Sequence, residues 1–543
     1  MKFERRDIDL GELTAILDRA GLSTEDRDKL KAALDTLAFL TDEIGAKGAS
    51  IGRLRSMLFG ASTEKTDKIF PDPPAVAPDS GVESQPGTAD QPADKSTDKG
   101  KRPGHGRNGA ASYPGATNVC LKHGTLHGGD RCPHCHKGKL YAQAQPAVLV
   151  RIRGMAPLAA TLYELERLRC SLCGEMFTAK APDGVGTEKY DASAAAMIAL
   201  LKYGCGLPFN RIEKLQRNLG IPMPAATQWE LVDKAAQAIG PAHQELTRLA
   251  AQGEIVHNDD TTMRLLEFGK SPFPEDEPSE TRTGVYTSGI ISRSGEHDIA
   301  LYFTGNKHAG DNLARVLQER AAALPPPIQM CDALSHNTKG EFDTIVANCI
   351  AHARRQFVEI TPSFPEQCRY VLETLREVYR NDATARTEKM APEARLAFHQ
   401  EHSGPLMRGL LWWVYEQLEL RKVEPNSTLG GALSYLRKHW SKLTLFLSQP
   451  GAPLDNNICE RALKKVILHR KNALFYKTQH GADVGDLFMS LIHTAELGEV
   501  DPFDYLVHLQ RHSAEVNKAP GQWMPWNYRE ALAALSTASE PPR

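Results

Sequence analysis

Three carboxylates carry the chemistry this sequence could do. Glu460 lies in Asp455-Asn456-Asn457-Ile458-Cys459-Glu460-Arg461-Ala462-Leu463-Lys464-Lys465, an apolar-periodic stretch expected to be helical, and Arg461, Lys464, Lys465, Arg470 and Lys471 around it are basic. One acid among so many bases makes sense where a metal-binding carboxylate meets a phosphate backbone. Asp259 and Asp332 each end a predicted strand, Glu254 to Asp259 and Pro327 to Asp332. Phosphodiester cleavage and strand transfer use two divalent ions about 3.5–4 Å apart, one activating the nucleophile and one stabilising the leaving oxygen. Hard oxygen ligands of this kind select Mg²⁺ or Mn²⁺. Asp260 rivals Asp259, but successive strand residues face opposite sides, so one of the two points into such a site. Singly, each acid also fits an ordinary role: Asp259 and Asp260 in a strand-end turn, Glu460 paired with Lys464 one helical turn on. Together, in this strand order, they favour a D, D, E metal triad.

The elements that must position them follow from periodicity. Gly284 to Ile291 and Asp298 to Phe303 flank the turn residues Ser294 and Gly295 and form a predicted hairpin. A helix is expected over Asn312 to Leu324, then the strand ending at Asp332, then a fifth strand from Thr344 to Cys349 running into a helix at Ala351. That order is the order of a ribonuclease H-like α/β fold. Residues 363–450 are nearly all helical in pattern and form an expected insertion between a first part of the core, 250–362, and a second, 451–510, with a tail at 511–543. His352-Ala353-Arg354-Arg355 opens the helix after the fifth strand. Arg354 and Arg355 suit phosphate contact, or else His352 is structural and the arginines solvated. His469-Arg470-Lys471-Asn472 is a second basic turn, plausible on DNA.

Upstream, the chain is modular. Leu30, Leu34, Leu37, Ile44, Ile51 and Leu58 form a flawed heptad seam within 1–70, weakened by Gly45 and Gly52, which suits a coiled coil or a helical hairpin. Residues 71–110 are too poor in large apolar side chains to bury a core and are expected to be a disordered linker ending in a basic run, Lys99 to Arg107. Within 111–185, Cys132-Pro133-His134-Cys135 and Cys170-Ser171-Leu172-Cys173 are two CxxC knuckles joined by alternating segments, Ala147 to Ile152 and Leu162 to Leu165. Four thiolates in a tetrahedron suit structural Zn²⁺ and leave no open catalytic position. Cys120 and His123 form a CxxH pair just before them, more simply explained as turn residues. Over 186–245, a helix, a turn at Leu219-Gly220-Ile221 and a second helix from Thr227 have helix-turn-helix spacing.

Composition sets the bounds. At 543 residues several domains are expected, and 41% apolar with 24% charged residues is ordinary for a soluble globular protein. A net charge of -2 means that any nucleic-acid contact must come from local basic patches. There is no run of about eighteen apolar residues and no apolar stretch at the N-terminus, so neither a membrane span nor a signal peptide is expected. The expectation is a cytoplasmic, nucleoid-associated protein whose ten cysteines are reduced.

At these residues the sequence resembles the IS66-family transposases over nearly its whole length. Leu58-Phe59-Gly60-Ala61-Ser62-Thr63-Glu64-Lys65 is similar to that family's N-terminal signature, and the paired knuckles to its zinc-binding domain. Lys202-Tyr203 with Leu207-Pro208-Phe209-Asn210-Arg211 is similar to its segment before the catalytic domain. His257-Asn258-Asp259-Asp260-Thr261, Cys349 to Phe357, and Asp455-Asn456-Asn457 through Glu460-Arg461-Ala462 to Arg470-Lys471-Asn472 and Phe475 resemble its catalytic blocks. Asp260 stands where the family more often has Glu, and Asp332-Ala333-Leu334-Ser335 departs from its usual aspartate-glycine-tyrosine. The resemblance implies a DDE transposase that cuts and joins the ends of its own element, with Asp259, Asp332 and Glu460 as the metal-binding triad. Double-stranded DNA, further copies of the chain and accessory proteins of the same element are the implied partners. A DNA-binding regulator with an inactive core and a stand-alone nuclease are the competing readings.

Overall fold

The computed structural model describes residues 188–268, 285–338 and 342–538 as continuous stretches, with 129–141, 156–169, 176–184 and a few single residues beside them. The chain divides into two compact units, Met1–Pro73 with Ala160–Arg543, and Pro74–Ala159. Only Leu30 and Thr66 of the predicted N-terminal helix are described. The rest of the heptad seam, the linker, and the Cys120 and His123 pair lie outside the described residues, as do Cys170 and Cys173.

In the smaller unit, Cys132 to Cys135 is a closed knuckle. Arg131 and Lys139 bridge antiparallel, Cys132 N donates to Gly138 O at 2.8 Å and His136 N to Cys132 O at 2.9 Å. His136 takes φ 55°, the left-handed conformation that reverses the chain. In the larger unit, β1 (Arg167–Arg169) and β2 (Met176–Thr178) pair antiparallel, so Cys170 and Cys173 fall between two paired strands in sequence. Leu162 to Leu165, expected to alternate as a strand, is irregular and exposed.

Next come α1 (Ala192–Ala199), a π-helical turn (Leu200–Gly204), α2 (Phe209–Asn218) and α3 (Ala225–Ala251). Gly220, at φ +76°, makes the turn between α2 and α3. The second helix is far longer than expected and runs past Pro241. Val232, Ala236, Ile239, Ala242, Leu246 and Ala250 form one buried stripe along it, and this packing carries the helix on.

The central sheet has five strands in the order β5-β4-β3-β6-β7. They are β3 (Ile255–Thr262), β4 (Tyr286–Ser294), β5 (His297–Gly305), β6 (Ile328–Cys331) and β7 (Ile345–Asn348). The hairpin neighbours β3, β4 and β5 are antiparallel, whereas β3, β6 and β7 run parallel. The predicted hairpin turn is present, with Gly295 at φ +60°. Between β5 and β6 lies α4 (Ala309–Leu317), which starts and ends earlier than the expected Asn312 to Leu324. His308 precedes it, and its N–H donates to Asp311 Oδ2 at 3.2 Å. Past its end, Arg320 donates to the carbonyls of Ala251 and Gly253, both at 2.8 Å, and to that of Pro325 at 2.7 Å, which pulls the chain off the helical path.

After β7, α5 (Ile350–Ile360) leads into four helices, α6 (Pro365–Thr387), α7 (Pro392–His402), α8 (Gly404–Glu419) and α9 (Thr428–Leu443). Helices α6, α8 and α9 share one core with β6, β7 and α5, in which Met330, Phe357, Leu372, Leu410 and Leu433 are buried. The chain then returns as α10 (Asn457–Ala473) and α11 (Gln479–Leu497), and ends in α12 (Pro502–Arg511), α13 (Ser513–Lys518) and α14 (Tyr528–Ala538).

Helix α11 closes the β5 edge by an unusual route. Asp486, Ser490 and Thr494 recur every fourth residue, on one face of the helix. They accept the N–H groups of Thr304 (2.5 Å), Tyr302 (3.0 Å) and Ala300 (3.0 Å). Side chains thus replace a sixth strand and satisfy an edge that would otherwise invite pairing.

Candidate active site

Asp259 lies within β3, which pairs with β4 along its whole length and with β6 over Ile255 to His257. On one side it faces Gly289 of β4. On the other, β3 and β6 are in parallel register with His257 opposite Met330; continued at the same offset, that register sets Asp259 beside Asp332. Asp332 follows β6 directly and is buried. Its Oδ1 accepts the N–H of Leu334 at 3.2 Å and the side-chain amide of Asn337. Neither bond uses Oδ2.

Glu460 arrives from the other end of the chain, and Asn456 places it. Asn456 Nδ2 donates to the carbonyl of Asn258 at 3.1 Å, its Oδ1 bonds His257 Nδ1 at 3.1 Å, and its N–H reaches Cys349 Sγ at 3.2 Å. One buried amide therefore ties β3 and the head of α5 to the head of α10. Asp455 accepts the backbone and side-chain N–H groups of Asn457 at 3.1 and 2.7 Å, shaping the turn into α10. Burial holds His257 down to about 4, so it is neutral at physiological pH. Glycine at 289 lets α10 lie close on the sheet. A Cβ there would sit 3.0 Å from Leu463 Cδ2 and 3.6 Å from Cys459 Sγ, and Cys459 Sγ reaches Gly289 O at 3.3 Å.

Strand alternation separates the two neighbouring aspartates. His257 and Asp259 face α10, whereas Asp260 faces α4, where its Oδ2 bonds His308 Nδ1 at 2.8 Å and accepts the Ala309 N–H at 3.3 Å. Asp259 is the residue on the Glu460 side.

The electrostatics of Asp259 are those of a crowded site. Burial pushes its carboxyl up to about 7, and the charges of Asp332, Asp260 and Glu460 push the same way, against one hydrogen bond at 2.8 Å from the Asp260 N–H. Arg355 lies 3.4 Å from Glu460 Oε2 and His352 Nδ1 lies 3.6 Å from its Oε1. Oε1 is buried without a hydrogen-bond partner. Cys349, His352 and Glu460 each offer a ligand atom, all within 4.8 Å of one another. Burial pushes the Cys349 thiol up to about 12, which keeps it protonated at neutral pH.

The family model for the IS66 family of transposases matches residues 188–484, a span that includes Asp259, Asp332 and Glu460 with every element that positions them. The chain belongs to the IS66 transposase family. It is also similar to three uncharacterized proteins of Sinorhizobium fredii (strain NBRC 101917 / NGR234). With y4jD it shares 26% identity over 352 residues, 62% of this chain and 65% of that protein. With y4hP it shares 25% over 392 residues, 68% of each, and with y4qI 27% over 356 residues, 62% of each. The chain thus spans just under two thirds of the length of y4jD.

Within this IS66 chain the predicted basic residues divide by environment. Arg461, Lys464 and Lys471 are exposed on α10. Lys465 is ion-paired with Glu496. Arg470 donates to Thr261 Oγ1 at 3.1 Å and Thr262 Oγ1 at 2.8 Å, so it braces the end of β3. Arg354 donates to Thr66 Oγ1 at 3.2 Å, and Arg355 faces Glu460 rather than open solvent. Sequence reasoning missed Gly289, Asn337 and the bracing role of Asn456. Only Asn456 left a trace, as the middle of an Asp-Asn-Asn run before a helix.

Proposed function

We propose that this chain is a DDE-type DNA transposase. In this reading it binds the terminal inverted repeats of its element and uses Asp259, Asp332 and Glu460 to cleave and join phosphodiester bonds with Mg²⁺ or Mn²⁺. One observation carries the reading: acids from a strand, a strand end and a helix, far apart in sequence, come together at Asp259, whose carboxyl is pushed up to about 7 by burial first and by the charges of Asp332, Asp260 and Glu460 besides. Family membership and the mixed five-stranded sheet in the order β5-β4-β3-β6-β7 support it.

The donor set fits hard divalent ions. It consists of carboxylate oxygens, one of them a buried Glu460 oxygen without a hydrogen-bond partner, and like charges that a cation would relieve. Bound there, such ions would activate the attacking oxygen and stabilise the leaving one. The chain's own residues do the positioning. Asn456 and Gly289 fix the height of α10 over β3, and Asn337 orients Asp332 so that Oδ2 stays open. Arg355 and His352 flank Glu460, and Arg461, Lys464 and Lys471 offer charge to the DNA backbone beside it.

The knuckle at Cys132 and Cys135 suits one half of a structural Zn²⁺ site, and the second CxxC of the sequence, Cys170 and Cys173, supplies the residue types for the other half. Gly138 N approaches Cys135 Sγ at 3.5 Å, and backbone N–H groups of Gly138 and Lys137 hold the Cys135 thiol below its ordinary value, favouring the thiolate a metal needs.

The test is purified full-length protein with Mg²⁺ and a labelled duplex bearing the element's inverted repeat, beside Asp259→Ala, Asp332→Ala and Glu460→Ala. Cleavage and joining by the native chain, lost in all three variants with binding retained, is expected. Binding without cleavage in native and variant proteins alike would favour a regulator. Elemental analysis of the same preparation should find zinc that Cys132→Ser loses; equal zinc in both would remove the knuckle from the site.

A further inference from the structure

On the face of the sheet turned away from Glu460 lies a second constellation. Asp260 of β3, His308 at the head of α4 and His336 in the 3-10 turn after β6 (Ser335–Asn337) each offer a ligand atom, all within 4.8 Å of one another. All three are half-buried. The His308 and His336 rings lie 4.6 Å apart, and the ring of Tyr286 covers His308 at 4.1 Å. Asp260 Oδ2 is aimed by the Ala309 N–H at 3.3 Å and meets His308 Nδ1 at 2.8 Å.

We propose that Asp260, His308 and His336 form a second cation site, for a borderline first-row transition ion of the Zn²⁺ type. One carboxylate with two imidazoles suits Zn²⁺ or Co²⁺ and is a poor set for Mg²⁺, which prefers oxygen. Ligands at about 2.0–2.1 Å from a tetrahedral ion lie roughly 3.3 Å apart. The 2.8 Å between His308 Nδ1 and Asp260 Oδ2 therefore opens by about half an ångström to admit the ion, and the other separations close slightly. Three protein ligands leave a position for water.

The site has a structural consequence. His336 precedes Asn337, whose side chain orients Asp332 and whose carbonyl accepts Asn258 Nδ2 at 3.0 Å and Gln329 Nε2 at 2.7 Å. An ion held by His336, α4 and β3 pins the turn that carries these bonds. The cation site does not depend on DNA chemistry at Glu460 and stands if that reading fails.

Co²⁺ titration of the full-length protein, stripped of metal and given one equivalent of zinc for the thiolates, tests it by visible absorption. Thiolate-bound Co²⁺ adds intense near-ultraviolet bands that this site lacks, so the two sites are separable. With Mg²⁺ in large excess to fill the carboxylate triad, the native chain, Asp259→Ala and Glu460→Ala should all bind one Co²⁺ with weak d–d bands and no thiolate band. In His336→Ala affinity should fall at least tenfold, and His308→Gln should do the same. His336 sits in a short surface turn, and an unchanged far-ultraviolet circular dichroism spectrum will show that His336→Ala is folded. Native-like Co²⁺ binding in folded His336→Ala overturns the site, as does loss of the signal in Asp259→Ala with His336 intact.

Discussion

Asp259 is where the cost of building a carboxylate site shows most directly. In the unfolded chain its pKa is about 3.9, and in the folded protein it is pushed up to about 7 by burial and by three neighbouring acids. The native state therefore binds the proton more tightly. The stability this contributes is present in full below about pH 4 and is lost as pH rises through about 7. A shift of three units is at most about 4 kcal/mol, and less for a residue that keeps some solvent contact. Without divalent ions, Tm of the native protein should fall between about pH 5 and pH 8. Asp259→Asn should fall less and melt higher at pH 8. Mg²⁺ at pH 8 should raise Tm of the native chain more than that of the variant. Asp486, buried and also pushed up to about 7, titrates in the same sense, so the variant keeps a residual slope and the difference between the curves is the readout. Identical slopes from calorimetric melts would show that folding does not raise the Asp259 carboxyl.

At the scale of elements, the site is a matter of how closely α10 lies on the sheet. Gly289 faces Asp259 across the β3–β4 ladder, and a side chain there meets Leu463. Gly289→Val should force α10 outward and carry Glu460 with it. Overpacking of this kind costs about 1–3 kcal/mol, so the variant should fold with Tm lowered by several degrees, bind DNA, and cleave at least tenfold more slowly. Native cleavage by a folded Gly289→Val protein would show that α10 has slack to give. The same contrast explains what the sequence made legible. Strand order, the hairpin turn and the helix around Glu460 follow from local alternation and turn residues, which a sequence displays. Gly289 and Asn456 act across long sequence separations, and neither residue type announces that role. The Asp486, Ser490 and Thr494 ladder is similar: its four-residue spacing is visible, but its partner, the β5 edge, is not. The early end of α4 depends on Arg320 reaching carbonyls at the end of α3, which no local window contains.

Across the whole molecule, charge is distributed rather than abundant. A chain of net charge -2 has no general attraction for DNA, so binding must come from a surface where bases gather. Helix α10 supplies one. At 100° per residue, Glu460, Arg461, Lys464 and Lys471 fall within an arc of about 100° on one face. In the proposed reading, the carboxylate that would hold the metal and the charges that would meet the DNA backbone thus share a surface. Lys465 and Arg470 point to protein partners instead. Each phosphate contact displaces counterions, and for B-DNA the logarithm of affinity changes with that of salt by about 0.9 per contact. Combined Arg461→Ala, Lys464→Ala and Lys471→Ala should lower the salt slope by about 2–3 and weaken binding to all duplexes alike. Lys465→Ala should shift the slope by well under one. Fluorescence anisotropy with a labelled duplex between about 50 and 200 mM salt measures both. An unchanged slope in the triple variant would move the DNA path off α10. In that case phosphates would not reach the surface beside Glu460, and the triad would have no substrate within reach whatever ions it holds.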